Sequence, residues 1–170
     1  MEEILVVILR LAHILFGVIW VGFGILAAWV MMPVAKRMGE DGLIMLRTFF
    51  GHSMFNRIMP VAAIITTVAG LILWPLRTQS GIDFLGFTST GDIVMVIGSV
   101  FGLLAFGHGI TTGRYAGAFA EAAKAYAQEA SDANRKAVDE AMRKISMNGN
   151  ISAILTLIAV IGMSSARYLG

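Results

Sequence analysis

Residues 11–32 read LAHILFGVIWVGFGILAAWVMM, an apolar run broken only by His13. A helix of about 20 such residues crosses the hydrocarbon core of a bilayer. Three further runs follow. Ile58–Leu76 is bounded by Arg57 and Arg77. Ile93–Ile110 follows Asp92 and contains His108. Ile151–Ser165 extends back through Met147. Only 14% of the residues are charged, where a soluble domain carries about 25%. These runs predict an all-α integral membrane protein of one domain, a four-helix antiparallel bundle. The expected spans are about 5–32, 55–76, 93–113 and 147–166, with a cytoplasmic helical extension at about 114–146 between helices three and four. Bundles of this kind bury cofactors between facing helices.

Charge predicts the topology. The first loop carries Lys36, Arg37, Arg47 and Arg57. The third carries Arg114, Lys124, Arg135, Lys136, Arg143 and Lys144. The second has Arg77 against Asp83 and Asp92. The positive-inside rule puts loops one and three in the cytoplasm of a bacterial-type inner membrane, with both termini outside. A net charge of +2 is too small to suggest nucleic acid, so the lipid bilayer is the partner that composition implies. The chain starts Met1-Glu2-Glu3 without a basic n-region, so the first helix reads as a retained span. The chain contains no cysteine. That excludes disulfides, thiolate metal sites, iron–sulfur clusters and thioether-linked haem.

The third loop reads as helical. Residues 116–130 are alanine-rich, Ser131 and Asp132 form a break and N-cap, and Val138, Met142 and Ile145 share one face. Such a hairpin is either solvated or a docking surface for a cytoplasmic partner. Residues 41–55 lie at the interface or extend the second helix. Gly17 and Gly24 flank Trp20, and Gly98 and Gly102 form a small-xxx-small pair. Close helix packing accounts for them, and room for a flat macrocycle is the alternative.

The candidate site residues are the three histidines. Ionisable groups at membrane depth are costly and mark functional sites. Histidine is a common ligand of haem iron and of copper. His13, Gly17, Trp20 and Gly24 share a face. Arg10 lies one turn before His13, placed either to snorkel or to pair with a carboxylate. His52 and His108 are expected within roughly 5–10 Å of each other in depth, and His13 about 15–20 Å from both. His52 with His108 is therefore the better bis-histidine pair; His13 would bind a second haem, with Met95, Met163 or an open position opposite it, or line the same pocket. Arg10, Arg57 and Arg114 are the candidate propionate partners. Each histidine could instead be an interhelical hydrogen bond or an interfacial side chain. No carboxylate falls within a span, which argues against a proton pump or ion-coupled transporter.

Ala12-His13, then Trp20 and Gly22, resembles the first span of a group of small multi-helix membrane proteins. The group comprises HemJ-type protoporphyrinogen oxidases, CopD-type copper-resistance domains and the membrane domain of some bacterial urate oxidases. The resemblance covers about residues 9–35, extended slightly by Pro33, Lys36 and Arg37. It implies a four-helix membrane core with His13 as a haem or metal ligand. The chain reads Gly22-Phe23-Gly24-Ile25 where the HemJ type has Ala-Gly followed by Tyr-x-Pro-Arg. Its second loop lacks the histidines and methionines of a copper-capture surface.

Three functions are expected from this reading. The first is a haem-b-binding protein that moves electrons within the bilayer, with a quinone or redox subunit as partner. As an enzyme it would be a membrane haem-dependent oxidoreductase. The second is copper handling through His13 and nearby methionines. The third is a cofactor-free small subunit of a larger complex, in a homo- or hetero-oligomer.

Overall fold

The structure, a computed structural model, describes residues 2–77 and 89–169. Among these residues every regular element is helical. In chain order they are α1 (Glu2–Ile25), a π-helical segment (Leu26–Met31), α2 (Met32–Met38), α3 (Glu40–His52), α4 (Phe55–Arg77), α5 (Thr90–Gln128) and α6 (Asp132–Ser165). A short 3₁₀ turn, Ala166–Tyr168, closes α6. Four helical stretches are long and apolar enough to cross a membrane: Glu3–Met38, Phe55–Leu76, Thr90–Gln128 and Asp132–Tyr168. The second loop, including Asp83, lies outside the described residues.

Charges mark the ends of the apolar rods. Arg57 to Arg77, Asp92 to Arg114 and Lys144 to Arg167 are 20 to 23 residues apart. At 1.5 Å per residue these intervals span about 30–35 Å, one bilayer core. Between them the surface is apolar: Leu71 is 56% exposed and Ile161 64%. Water would disfavour such a surface strongly, whereas lipid tails solvate it without penalty.

The π segment has a local cause. Pro33 has no N–H and its ring crowds the preceding turn, so α-helical bonding cannot run through it. The chain widens one turn earlier, and the Met32 N–H donates to the Ala27 carbonyl, five residues back. Gly39 then turns the chain at φ 61°. Gly42 admits α2 so closely that an added Cβ would strike the Ala35 carbonyl. These two glycines fold α3 back on α2.

Two helix pairs form the membrane part. Along α1 and α4 the contacts run in opposite order: Gly17 meets Thr66, and Gly24 meets Met59. Along α5 and α6, Gly98 faces Met163, and the Ser152 hydroxyl donates to the Ala105 carbonyl at 3.3 Å. Helix α5 continues unbroken from Thr90 to Gln128. Ser131 caps α6 as expected, its hydroxyl accepting the Asn134 N–H at 3.3 Å.

The part built from α2, α3 and the adjoining stretches of α5 and α6 has its own core. Phe119 and Val138 are fully buried and Leu46 nearly so. They pack with Phe50, Ala141 and Ile145. On the apolar face of the hairpin, Val138 and Ile145 are buried in this cluster with Leu46 and Phe50 of α3, and Met142 packs partly buried against it. That part of the face is covered within the chain. Residues 41–55 do not extend α4 as one continuous helix. They form α3, which ends where Ser53 turns to extended geometry. Arg135 ties the two parts together through Glu40, and also pairs with Asp139 at 3.3 Å. Tyr126 and Glu40 hold the Arg135 guanidinium above its ordinary value.

Candidate functional site

Where α1, the π segment, α4, α5 and α6 meet, they leave a cavity of about 600 Å³. That is within the usual range for a small-molecule site, about 300–1,000 Å³. Small residues open it. Gly24 of α1, Gly109, Gly113 and Gly117 of α5 and Gly149 of α6 all border it. Gly109, Gly113 and Gly117 recur every four residues, so one side of α5 is bare backbone over more than two turns. Trp20 and Phe106 form the aromatic wall, edge to face at 6.2 Å between centroids. Met59 and Met32 add thioethers. The lining is mostly apolar carbon. Its one charged member is Arg114, on the exposed edge of α5. The indole N–H of Trp20 faces Gly109, 3.9 Å from where a Cβ would stand, and has no hydrogen-bond partner among the described residues. An apolar cavity with one indole donor and one guanidinium suits a hydrophobic molecule bearing oxygen acceptors.

The histidines lie elsewhere, and none borders the cavity. His13 fills the α1–α4 seam. Its Nδ1–H donates to the Thr66 carbonyl at 2.8 Å, and its ring lies against Gly70, where an added Cβ would stand 2.8 Å from Cε1. His108 lies in the α5–α6 seam, its Nδ1 3.3 Å from the Asn148 Oδ1. The Asn148 amide nitrogen donates to the Lys144 carbonyl at 3.1 Å. His52 is exposed at the end of α3. Arg10 and Arg57 are exposed and away from the cavity.

The expected spacing of the histidines is corrected. Gly51 packs against Ala120, twelve residues beyond His108 on α5. His52 is therefore about 18 Å past His108 along that helix, and the two are not brought together. The sequence reading placed His52 at the start of the second span. In fact α3 carries it out along the extended part of α5. His13 is closer to His108 than expected. Trp20 packs at Gly109, and seven residues separate His13 from Trp20, so about 10 Å of depth separates the two imidazoles. Among the described residues no three His, Cys, Asp or Glu side chains cluster as metal ligands.

Two residues near the histidines escaped the sequence reading. Asn148 is a buried amide just inside the fourth span, and that polar residue in an apolar run was the available signal. The Thr66 Oγ1 is buried without a hydrogen-bond partner among the described residues, while its backbone carbonyl holds His13. Comparison with family models, curated proteins and solved structures gives no match.

Proposed function

We propose that this chain is an inner-membrane protein of four antiparallel spans that binds a hydrophobic, oxygen-bearing redox molecule in the cavity beside Trp20. Its role is electron transfer within the bilayer. The observation that carries this reading is the cavity itself: about 600 Å³ of apolar space whose polar functions include the Trp20 indole and the Arg114 guanidinium. A quinone carbonyl and a tetrapyrrole carboxylate share the chemistry these groups recognise. Exposed Ile64 and Ile110 border the same cavity, which gives a ligand dissolved in lipid a route in. The basic loops, Lys36–Arg57 and Arg114–Lys144, support a cytoplasmic placement for α3 and the hairpin.

A second reading, haem b held by a single imidazole, rests on the two seams. Metal-bound histidines commonly have the other ring nitrogen tied to an oxygen. His13 and His108 each have Nδ1 so tied and Nε2 outside that bond. Bis-histidine ligation by His52 and His108 does not fit this arrangement. The cavity lining offers thioethers and no imidazole.

The test is an absorption spectrum of detergent-purified protein, oxidised and then dithionite-reduced, with an organic extract analysed in parallel. A quinone in the extract, depleted in Gly109→Leu and Arg114→Ala variants, supports the first reading. A Soret band lost in those variants identifies a tetrapyrrole in the cavity. A Soret band lost in His13→Ala or His108→Ala, yet kept in Gly109→Leu, supports the second reading instead. A colourless protein with no extractable ligand, made with haem and quinone supply intact, overturns both.

A further inference from the structure

A second cleft, of about 300 Å³, lies between α2 and α6, away from the cavity. Lys36 and Arg143 supply its positive charge, and Ser146 and Asn150 its neutral polar groups. Lys36 Nζ donates to the Ser146 hydroxyl at 3.1 Å. The cleft also contains Asp139, whose carboxylate accepts from Arg135 Nε at 3.3 Å. The depth of the cleft is set by α6. Lys144 marks the charged end of the span, and Met147 begins its apolar part. Cations at that level sit among lipid headgroups.

An apolar track leaves the cleft along α6. Met147, Ile151, Ile154 and Ile158 follow at spacings of four, three and four, so they share one face. They are 51%, 37%, 51% and 37% exposed. A charged cleft continuous with a lipid-facing apolar stripe is shaped for an amphiphile with an anionic head. The geometry points to an anionic phospholipid as its occupant: the phosphate between Lys36 and Arg143, an acyl chain along Met147 to Ile158. Basic clefts between spans on the cytoplasmic side bind such headgroups. Asp139 adds a specificity. A neighbouring carboxylate penalises a doubly charged phosphate more than a singly charged one, which favours a phosphodiester over inorganic phosphate.

The experiment uses full-length protein, delipidated in detergent and titrated with phosphatidylglycerol or phosphatidylcholine of matched chains, read by native mass spectrometry. Phosphatidylglycerol is expected to bind preferentially. The Lys36→Ala/Arg143→Ala double variant should weaken it by about tenfold to thirtyfold, at roughly one near-surface cation's worth of attraction each. Both side chains are exposed, and the milder Lys36→Gln variant reads the same effect at lower amplitude. Equal binding of the two lipids overturns the proposal, as does unchanged phosphatidylglycerol binding in the variants. Inorganic phosphate binding as tightly, with the same Lys36 dependence, also overturns it. Neither cation borders the Trp20 cavity, so this result is independent of the ligand held there.

Discussion

The Thr66 hydroxyl is buried without a partner between α4 and Gly17 of α1. A buried hydroxyl that makes no hydrogen bond costs about 1–3 kcal/mol of desolvation. Valine keeps the branched shape and removes the polar atom. Thr66→Val is therefore expected to stabilise the protein by about 1 kcal/mol, read as a higher melting temperature in detergent. A fall would mean that the hydroxyl has a partner in the membrane. One turn further along α4, Gly70→Ala should act in the opposite direction. Its Cβ would stand 2.8 Å from Cε1 of His13 and 3.0 Å from Nδ1. The ring must turn, giving up its bond to the Thr66 carbonyl, at about 1–3 kcal/mol. Nitrogen NMR of the imidazole would show Nδ1 leaving its hydrogen bond. At this scale the site was partly legible. His13 is conspicuous in an apolar run, but its acceptor is a backbone carbonyl 53 residues away, and no residue identity records a backbone group.

Helix existence was legible because composition alone drives it: an apolar run of bilayer length cannot leave its backbone unpaired in lipid. The cap at Ser131 was legible for a similar, local reason. The α3 fold-back was not. It needs Leu46 and Phe50 to meet Phe119, about seventy residues downstream, and helical spacing says only which side of each helix is apolar. Gly98 and Gly102 were readable as a packing pair, and the structure shows what they pack against. An added Cβ at Gly98 would stand 2.9 Å from the Met163 backbone nitrogen and 3.1 Å from the Ala159 carbonyl oxygen. Backbone cannot swing aside as a side chain can. Gly98→Leu should therefore force α5 and α6 apart and cost about 1–3 kcal/mol or more. Gly107→Leu is the control, since nothing lies within 4 Å of its Cβ position. Melting curves for the pair should differ clearly, and equal melting would show that α5 and α6 do not meet this way in the bilayer.

The molecule as a whole has two cores of different composition. The cluster between the apolar spans sets Trp20 against three alanines, Ala62, Ala63 and Ala105, which let the helices approach closely beside the cavity. The other cluster, around Phe119, Leu46 and Val138, is built of larger side chains. The cavity was only half legible for this reason: it depends on glycines from three helices arriving at one level, and register between helices is a property of the whole fold. The two cores also predict separable stabilities. Local unfolding proceeds in contiguous units. Phe119→Ala removes a fully buried ring at about 3–5 kcal/mol, and that loss falls on the contacts joining α3 to the hairpin. Limited proteolysis of the variant should cut within α3 and near Ser131 much faster than in the parent. The spans should stay protected, and a ligand of the cavity beside Trp20 should be held more weakly but not lost, because Phe50, Ala116 and Ile145 of this cluster also line that cavity. Simultaneous loss of ligand and of span protection would show instead that the two cores fold as one unit, with the Phe119 core holding the helix ends that keep the cavity open.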